Sequence, residues 1–196
     1  MKTGTKIWIA VLAVVAFIAI WLVSTNNKMV TYDEAVTNAW SQVENQYQRR
    51  SDLIPNLVNT VKGYAQHESS TLDAVVSARA RATQIAVDPE NLTPEKLAQF
   101  QAAQGELQAA LGKLLAISEN YPDLKANQNF QDLQAQLEGT ENRISTERKR
   151  FNETTRAFNT MIRKFPNNML AAMFGFEKKA YFEAEAGSEK APVVEF

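Results

Sequence analysis

This chain has no cysteine and a single histidine. The first absence removes disulfides, thiolate metal sites and cysteine nucleophiles together, and it leaves no thiol for the acyl group of a lipoprotein. It fits either side of a bacterial membrane. The second absence excludes a histidine-rich metal cage. His67 has Glu68 beside it, but a metal site needs three or four converging ligands, and neither H-x-x-x-H nor H-x-x-E spacing occurs. His67-Glu68 therefore reads as a polar cap at a helix turn, and neither metal nor cofactor is expected. An excess of one charge sign is also missing. Lys and Arg number 21 against 22 Asp and Glu, so the chain lacks the basic surface that a nucleic-acid partner requires. Helix breakers are scarce too. Between Met29 and Phe165 they are Gly63, Gly105, Gly112, Gly139, Pro55, Pro89, Pro94 and Pro122, in a background rich in Ala, Gln, Glu, Leu and Arg. That composition predicts an all-α fold. Nucleophile motifs, glycine-rich phosphate loops and paired carboxylates are absent as well, so no catalytic residue is expected and the chain does not read as an enzyme.

What is present begins with Ile7 to Val23, IWIAVLAVVAFIAIWLV, which holds no charge, glycine or proline. As a helix it extends about 26 Å, near the ~30 Å hydrocarbon core of a bilayer. Trp8 and Trp21 fall near its ends, where indole rings settle at the headgroups. A cleaved signal peptide would show a shorter apolar run and a small-x-small cleavage site, whereas this run leaves as Trp21-Leu22-Val23-Ser24-Thr25-Asn26. The reading is a retained single-pass anchor, with Ile7, Trp8, Phe17, Trp21 and Val23 as its lipid-facing markers. The amine terminus, Lys2 and Lys6 precede it, and Lys28, Asp33 and Glu34 follow. By the positive-inside rule the N-terminus is expected in the cytoplasm and the main domain outside it. The span has no ionisable residue and offers no ion path of its own.

Three regions follow from this: an anchor over 1–28, a helical bundle over 29–166, and an apolar helix and tail over 167–196. Val36, Trp40, Val43, Tyr47, Arg50, Ile54, Leu57, Val61 and Tyr64 alternate steps of four and three, the spacing of one seam facing partner helices. Pro55 lies inside the pattern, which predicts a kink near Ser51 to Pro55, or two helices meeting there with Ser51 or Asp52 as cap. A second helix runs from Leu72 to Val87; it could continue the first, since His67 to Ser70 holds no strong breaker, but a turn is preferred, with Ser70 as expected N-cap and Asp73 in a capping-box-like position. Thr93-Pro94-Glu95 is a strong start for a third, which carries Leu97, Phe100, Gln104, Leu107, Leu111, Leu114 and Ser118 and stops before Tyr121-Pro122-Asp123. The longest run, Asn127 to Phe165, places Phe130, Leu133, Leu137, Thr140, Ile144, Glu147, Phe151, Thr154, Phe158, Met161 and Phe165 on one seam, and Pro166 closes it. Four seam-bearing segments on short turns predict an antiparallel four-helix bundle. Met169 to Phe176 is too short to span a bilayer and reads as a short helix docked on the bundle, or as a contact with a neighbouring copy or the membrane surface. Val193 to Phe196 has the composition of a strand that adds to a partner's edge.

The runs Asn38 to Gln42, Tyr47 to Val58 (YQRRSDLIPNLV), Val61 to Ala65 and His67-Glu68 resemble the LemA family. So do Tyr121 to Asn127 (YPDLKAN), Asn129-Phe130, Thr140 to Ile144 (TENRI), Phe165 to Asn168, Phe174 to Phe176, Tyr181 to Ala184 and Ala191 to Val194. The likeness covers nearly the whole chain. It implies a bacterial, membrane-anchored four-helix bundle without an established reaction, sometimes encoded near a membrane metalloprotease. Arg49, Pro55, Asn56, Tyr121, Glu141, Asn142 and Arg143 carry that likeness. With Arg50, Asp52 and the aromatics Phe174, Phe176, Tyr181, Phe182 and Phe196, they form the candidate interaction set. Arg50, the one charge in its seam, is expected to snorkel or to pair with Glu147, the one carboxylate on the long seam. Glu141 to Arg143 and Glu147 to Arg150 read as a solvated face with i,i+4 partners such as Arg143 and Glu147. The expected role is a non-enzymatic, self-assembling scaffold or adaptor at the bacterial inner membrane. The alternative is an oligomeric pore-forming or membrane-remodelling assembly acting on lipid. The expected partners are the bilayer, further copies of the chain and another membrane protein such as a membrane protease.

Overall fold

A computed structural model of the chain describes residues 3–89 and 92–183. Among them every regular element is helical: α1 (Thr3–Tyr64), α2 (Ser69–Gln84), α3 (Pro94–Ile117), α4 (Pro122–Lys125), α5 (Gln128–Arg163) and α6 (Asn167–Phe174), with a 3₁₀ turn at Ser118–Asn120. α1 has 62 residues and so extends about 93 Å. Ile7 to Val23 in its first third is apolar, exposed apart from the partly buried Leu22, and long enough to cross a membrane. The remainder enters a helical body without a break, so the apolar segment and the first body helix are one element. The alternative of two helices meeting at Ser51 to Pro55 does not occur, since one helix passes through Pro55.

Three of the expected boundaries shift. α2 starts at Ser69 behind Glu68, which makes no side-chain cap, so Ser70 is inside the helix rather than at its N-cap. α2 also ends at Gln84 instead of Val87, whose buried side chain lies in the connection that follows. α5 ends at Arg163, two residues before the expected Phe165. Elsewhere the local chemistry acts as the sequence dictates. Thr93 Oγ1 accepts from the Lys96 amide with Pro94 at the first position, and Asn127 Oδ1 accepts from the Phe130 amide at the head of α5.

α1 and α5 form the most extensive pairing, with α2 and α3 packed together beside them. Tyr64 meets Asn127, Arg50 meets Glu141 and Trp40 meets Phe151, so sequence number rises along α1 as it falls along α5. The apolar interior divides in two. Met29, Trp40 and Phe100 join Phe151, Phe158, Leu170 and Phe182 in the cluster nearer the anchor. Ile54, Leu57, Leu72 and Val75 join Leu107, Leu114, Leu124 and Phe130 in the cluster at the far end. α6 docks on α5 and α1 through Leu170 and Ala171, and Gly175 ends it in the left-handed conformation that glycine takes without strain. Val193 to Phe196, the strand-like tail, lies outside the described residues.

Candidate functional site

Between the two apolar clusters, three seams turn polar at one level. α1 has Arg50 between Tyr47 and Ile54. α3 has Gln104 between Phe100 and Leu107, and α5 has Thr140 between Leu137 and Ile144. Arg50 is 2% exposed. Its Nη1 donates to Glu141 Oε2 at 2.9 Å, and its Nη2 donates to Gln104 Oε1 at 2.6 Å and to the Gln104 carbonyl at 3.3 Å. The guanidinium also lies 5.1 Å from the centre of the Tyr47 ring. Gln104 Nε2 passes the connection on to the Ala82 carbonyl of α2 at 3.5 Å. One side chain of α1 thus ties α3, α5 and, through Gln104, α2. A cleft of about 300 Å³ opens over this layer, lined by Tyr47, Arg50, Gln101, Gln104, Glu141 and Arg148.

Glu141, not Glu147, is the partner of Arg50. The α1–α5 register puts residue 141 opposite Arg50, and Glu147 is six residues further along, about 9 Å away. Glu147 instead stands 3.9 Å from Arg150, and the expected pairing of Arg143 with Glu147 is not among the described ion pairs. Glu141 keeps 40% of its side chain exposed, so this bridge is buried at one end and hydrated at the other.

Pro55 has a matching device one turn away. A proline has no amide hydrogen, so the Ser51 carbonyl loses its helical partner. Arg79 of α2 supplies the missing donor, its Nε bonding Ser51 O at 2.9 Å. Arg79→Met is expected to cost about 1–2 kcal/mol, because it leaves a buried carbonyl unpaired. In a Pro55→Ala background the amide gained at position 55 restores the helical bond, and the same change is expected to cost less than half as much. Urea unfolding of the four variants checks this, and equal costs in both backgrounds contradict it.

The remaining candidates fall into three groups. Arg49, Asp52, Pro55, Asn56, Asn142 and Arg143 are exposed on the outer faces of α1 and α5, with Gln48 donating to Asp52 Oδ1 at 2.8 Å. Asn56 lines a shallow polar groove with Asn59, Asn129 and Asp132. Tyr121 works at the far turn: its hydroxyl donates to Glu68 Oε1 at 3.1 Å, while Asn127 Nδ2 donates to the Tyr64 hydroxyl at 2.9 Å. Desolvation, the hydrogen bond to Glu68 and the negative charge of Glu68 raise the Tyr121 pKa above the ordinary phenol value. Phe176, Tyr181 and Phe182 turn inward, Phe174 stays exposed, and Phe196 lies outside the described residues.

Two asparagines that the sequence reading did not single out hold the segment after α6. Asn152 pairs with both the amide and the carbonyl of Phe182, and Asn159 does the same for Lys179 while also donating to the Tyr181 hydroxyl, all at 2.9–3.0 Å. Their seven-residue spacing on α5, one position past Phe151 and Phe158, was the available signal. Lys179 Nζ reaches Asp33 of α1 at 3.1 Å. Among the described residues, no group of three or more His, Cys, Asp or Glu side chains converges on a metal-sized site.

Residues 39–196 match the family model described as the LemA family. Similar proteins include Magnetosome protein MamQ of Magnetospirillum gryphiswaldense, 29% identical over 197 residues covering 91% of this chain and 72% of that one. Magnetosome protein MamQ 2 of Paramagnetospirillum magneticum is 29% identical over 198 residues, 92% of this chain and 72% of its own. Protein LemA of Metamycoplasma hominis is 24% identical over 187 residues, 94% of this chain and 82% of its own.

Proposed function

The chain belongs to the LemA family, and on that premise we propose that it is a non-enzymatic scaffold or adaptor, held in the bacterial inner membrane by one span and acting by self-assembly. The observation that carries this reading is α1: one unbroken helix runs from an exposed apolar segment into the hydrophobic interior of the folded body. Such an element transmits position without a joint. The reading takes the body as an antiparallel four-helix bundle standing outside the cytoplasm, with the N-terminus inside. Two features support it: the opposed numbering of the α1–α5 contacts, and the internal pairing of the polar layer's main charge. The lipid bilayer and further copies of the chain are the first partners, and a membrane protein such as a protease would be a later one.

A second reading, an assembly that perforates or deforms lipid, is favoured by the exposed apolar side chains of α6. Liposome leakage or deformation that depends on them would select it.

The absence of cysteine makes the test direct. A Glu138→Cys variant places one exposed thiol on α5. Labelling by a membrane-impermeant maleimide in intact spheroplasts is expected, and labelling only after lysis reverses the topology. Light scattering of the same detergent-extracted protein is expected to give a mass above one chain. A strict monomer at high concentration removes the assembly.

A further inference from the structure

We propose that α6 is an interfacial helix whose exposed flank, Met169 and Met173 with Phe165 just ahead of it, beds into the headgroup layer of the bilayer that α1 enters. The inference rests on reading Ile7 to Val23 as a membrane span, and it adds a second, separate contact between the protein and lipid.

The level of α6 follows from what it packs on. Leu170 and Ala171, its buried face, belong to the cluster that contains Met29, and Leu22 of the apolar run packs against that same cluster. The α1–α5 register puts Ile162 opposite Met29, and α6 begins beyond the end of α5. α6 therefore starts on the apolar-segment side of the Met29 level, and Phe176, just past its end, is back against Phe158 of α5. From Val23 to Met29 is about 9 Å of helix. The polar layer on each side of a hydrocarbon core is about 5–8 Å deep. The start of α6, on the near side of that 9 Å, thus comes within reach of the headgroups.

The side chains suit that place. α6 carries no charge, and its only polar residues are Asn167 and Asn168. Phe165 is 82% exposed, Met169 65% and Met173 63%. Large apolar side chains this exposed mark a contact surface when they lie together. The exposed charges flanking them in sequence are mostly cationic, Lys28, Arg163, Lys164 and Lys178, with Glu177 the one acid between Arg156 and Lys179 and with Asp33 and Glu34 further along α1. Thioether and phenyl groups flanked by lysine and arginine match an acyl boundary beneath anionic phosphates. A second copy of the chain is a poorer occupant. A stable protein interface takes roughly 800 Å² from each partner, and three side chains on a two-turn helix supply well under that. α6 also packs directly on α1, the helix that itself enters the bilayer.

The test uses the full-length protein in phosphatidylcholine–phosphatidylglycerol vesicles, with one environment-sensitive fluorophore on a cysteine at Val14, Met169, Met173 or Lys113. Spin-labelled lipids carrying the nitroxide at the top or deep in the acyl chain quench from the membrane, and iodide quenches from water. Labels at 169 and 173 are expected to be quenched by the shallow nitroxide and to show iodide quenching at least about threefold below that at 113. Iodide access equal to that at 113 overturns the inference. Protection from iodide without nitroxide quenching also overturns it, since a second copy then covers the flank. The label at Val14 reports separately on the premise. If deep nitroxides fail to quench it, the span reading fails; if they quench it while 169 and 173 stay in water, only the interfacial helix fails.

Discussion

Replacing Arg50 with alanine is expected to lower the unfolding free energy of the full-length protein in detergent by about 3 kcal/mol, the low end of the cost of breaking a buried ion pair. Several losses add to reach it. Gln104 keeps a buried amide oxygen without its donor, an orphaning that costs about 1–3 kcal/mol. The aliphatic stem of Arg50 leaves a gap between the two apolar clusters, and Tyr47 loses the cation beside its ring. Glu141 limits the damage, because its half-exposed carboxylate can return to water. For a body of this size that cost lowers the melting temperature by roughly 6–12 °C. A paired variant, Arg50→Met with Gln104→Leu, is expected to recover most of the stability, since it leaves only the Ala82 carbonyl in the last turn of α2 without its side-chain donor. If Arg50→Ala melts within a degree or two of the parent, the layer is not what ties α1 to α3 and α5. If the paired variant recovers stability and also remains a single ordered species, the layer is not needed to fix the register either.

That last outcome bears on why the sequence showed some of this site and not the rest. The all-helical class was legible because periodicity and breaker scarcity are local properties, and the seams named from spacing alone are the buried faces of α1 and α3 almost residue for residue, whereas on α5 the match fails after Phe151, where Thr155, Asn159 and Ile162 are buried and Phe165 is exposed. Arg50, Gln104 and Thr140 were visible as the polar members of those seams. That they share one level was not, because a heptad seam slid by seven residues falls on itself, so spacing carries no register. Glu141 was missed as the partner of Arg50 for the same reason: it flanks the seam, and only the relative offset of α1 and α5 brings it opposite. That one helix runs through Pro55 was not legible, because the compensating donor, Arg79, comes from another helix. Met169 to Phe176 was legible as a short apolar helix, and its docking through Leu170 and Ala171 needed the packed structure.

The inward turn of Phe182 leads to the second large effect. Trp40→Ala is expected to destabilise the protein by about 4 kcal/mol, within the range for emptying a fully buried indole site. Trp40 is 1% exposed and stacks on Phe182 at 5.7 Å with the planes 14° apart, while Phe100 and Phe151 meet it edge-on at 5.4 and 5.6 Å. The indole is thus the shared floor for rings from α3, α5 and the segment after α6. Losing it removes the apolar half of what holds that segment and leaves the polar half, the Asn152 and Asn159 side chains gripping Phe182 and Lys179. The two halves separate in a protease experiment. In Trp40→Ala, trypsin is expected to cut after Lys178 or Lys179 well before the helices are digested, and Phe182→Ala is expected to expose the same sites at a smaller cost in melting temperature. Asn159→Ala is expected to do so as well, because it frees the Lys179 backbone while leaving the aromatic stack intact. Trp40→Phe keeps a ring on the floor and is expected to retain much of the protection. If Trp40→Ala loses stability while Lys178 and Lys179 stay as resistant as in the parent, the asparagine clamps alone hold the segment, and Phe182 serves only to fill the core.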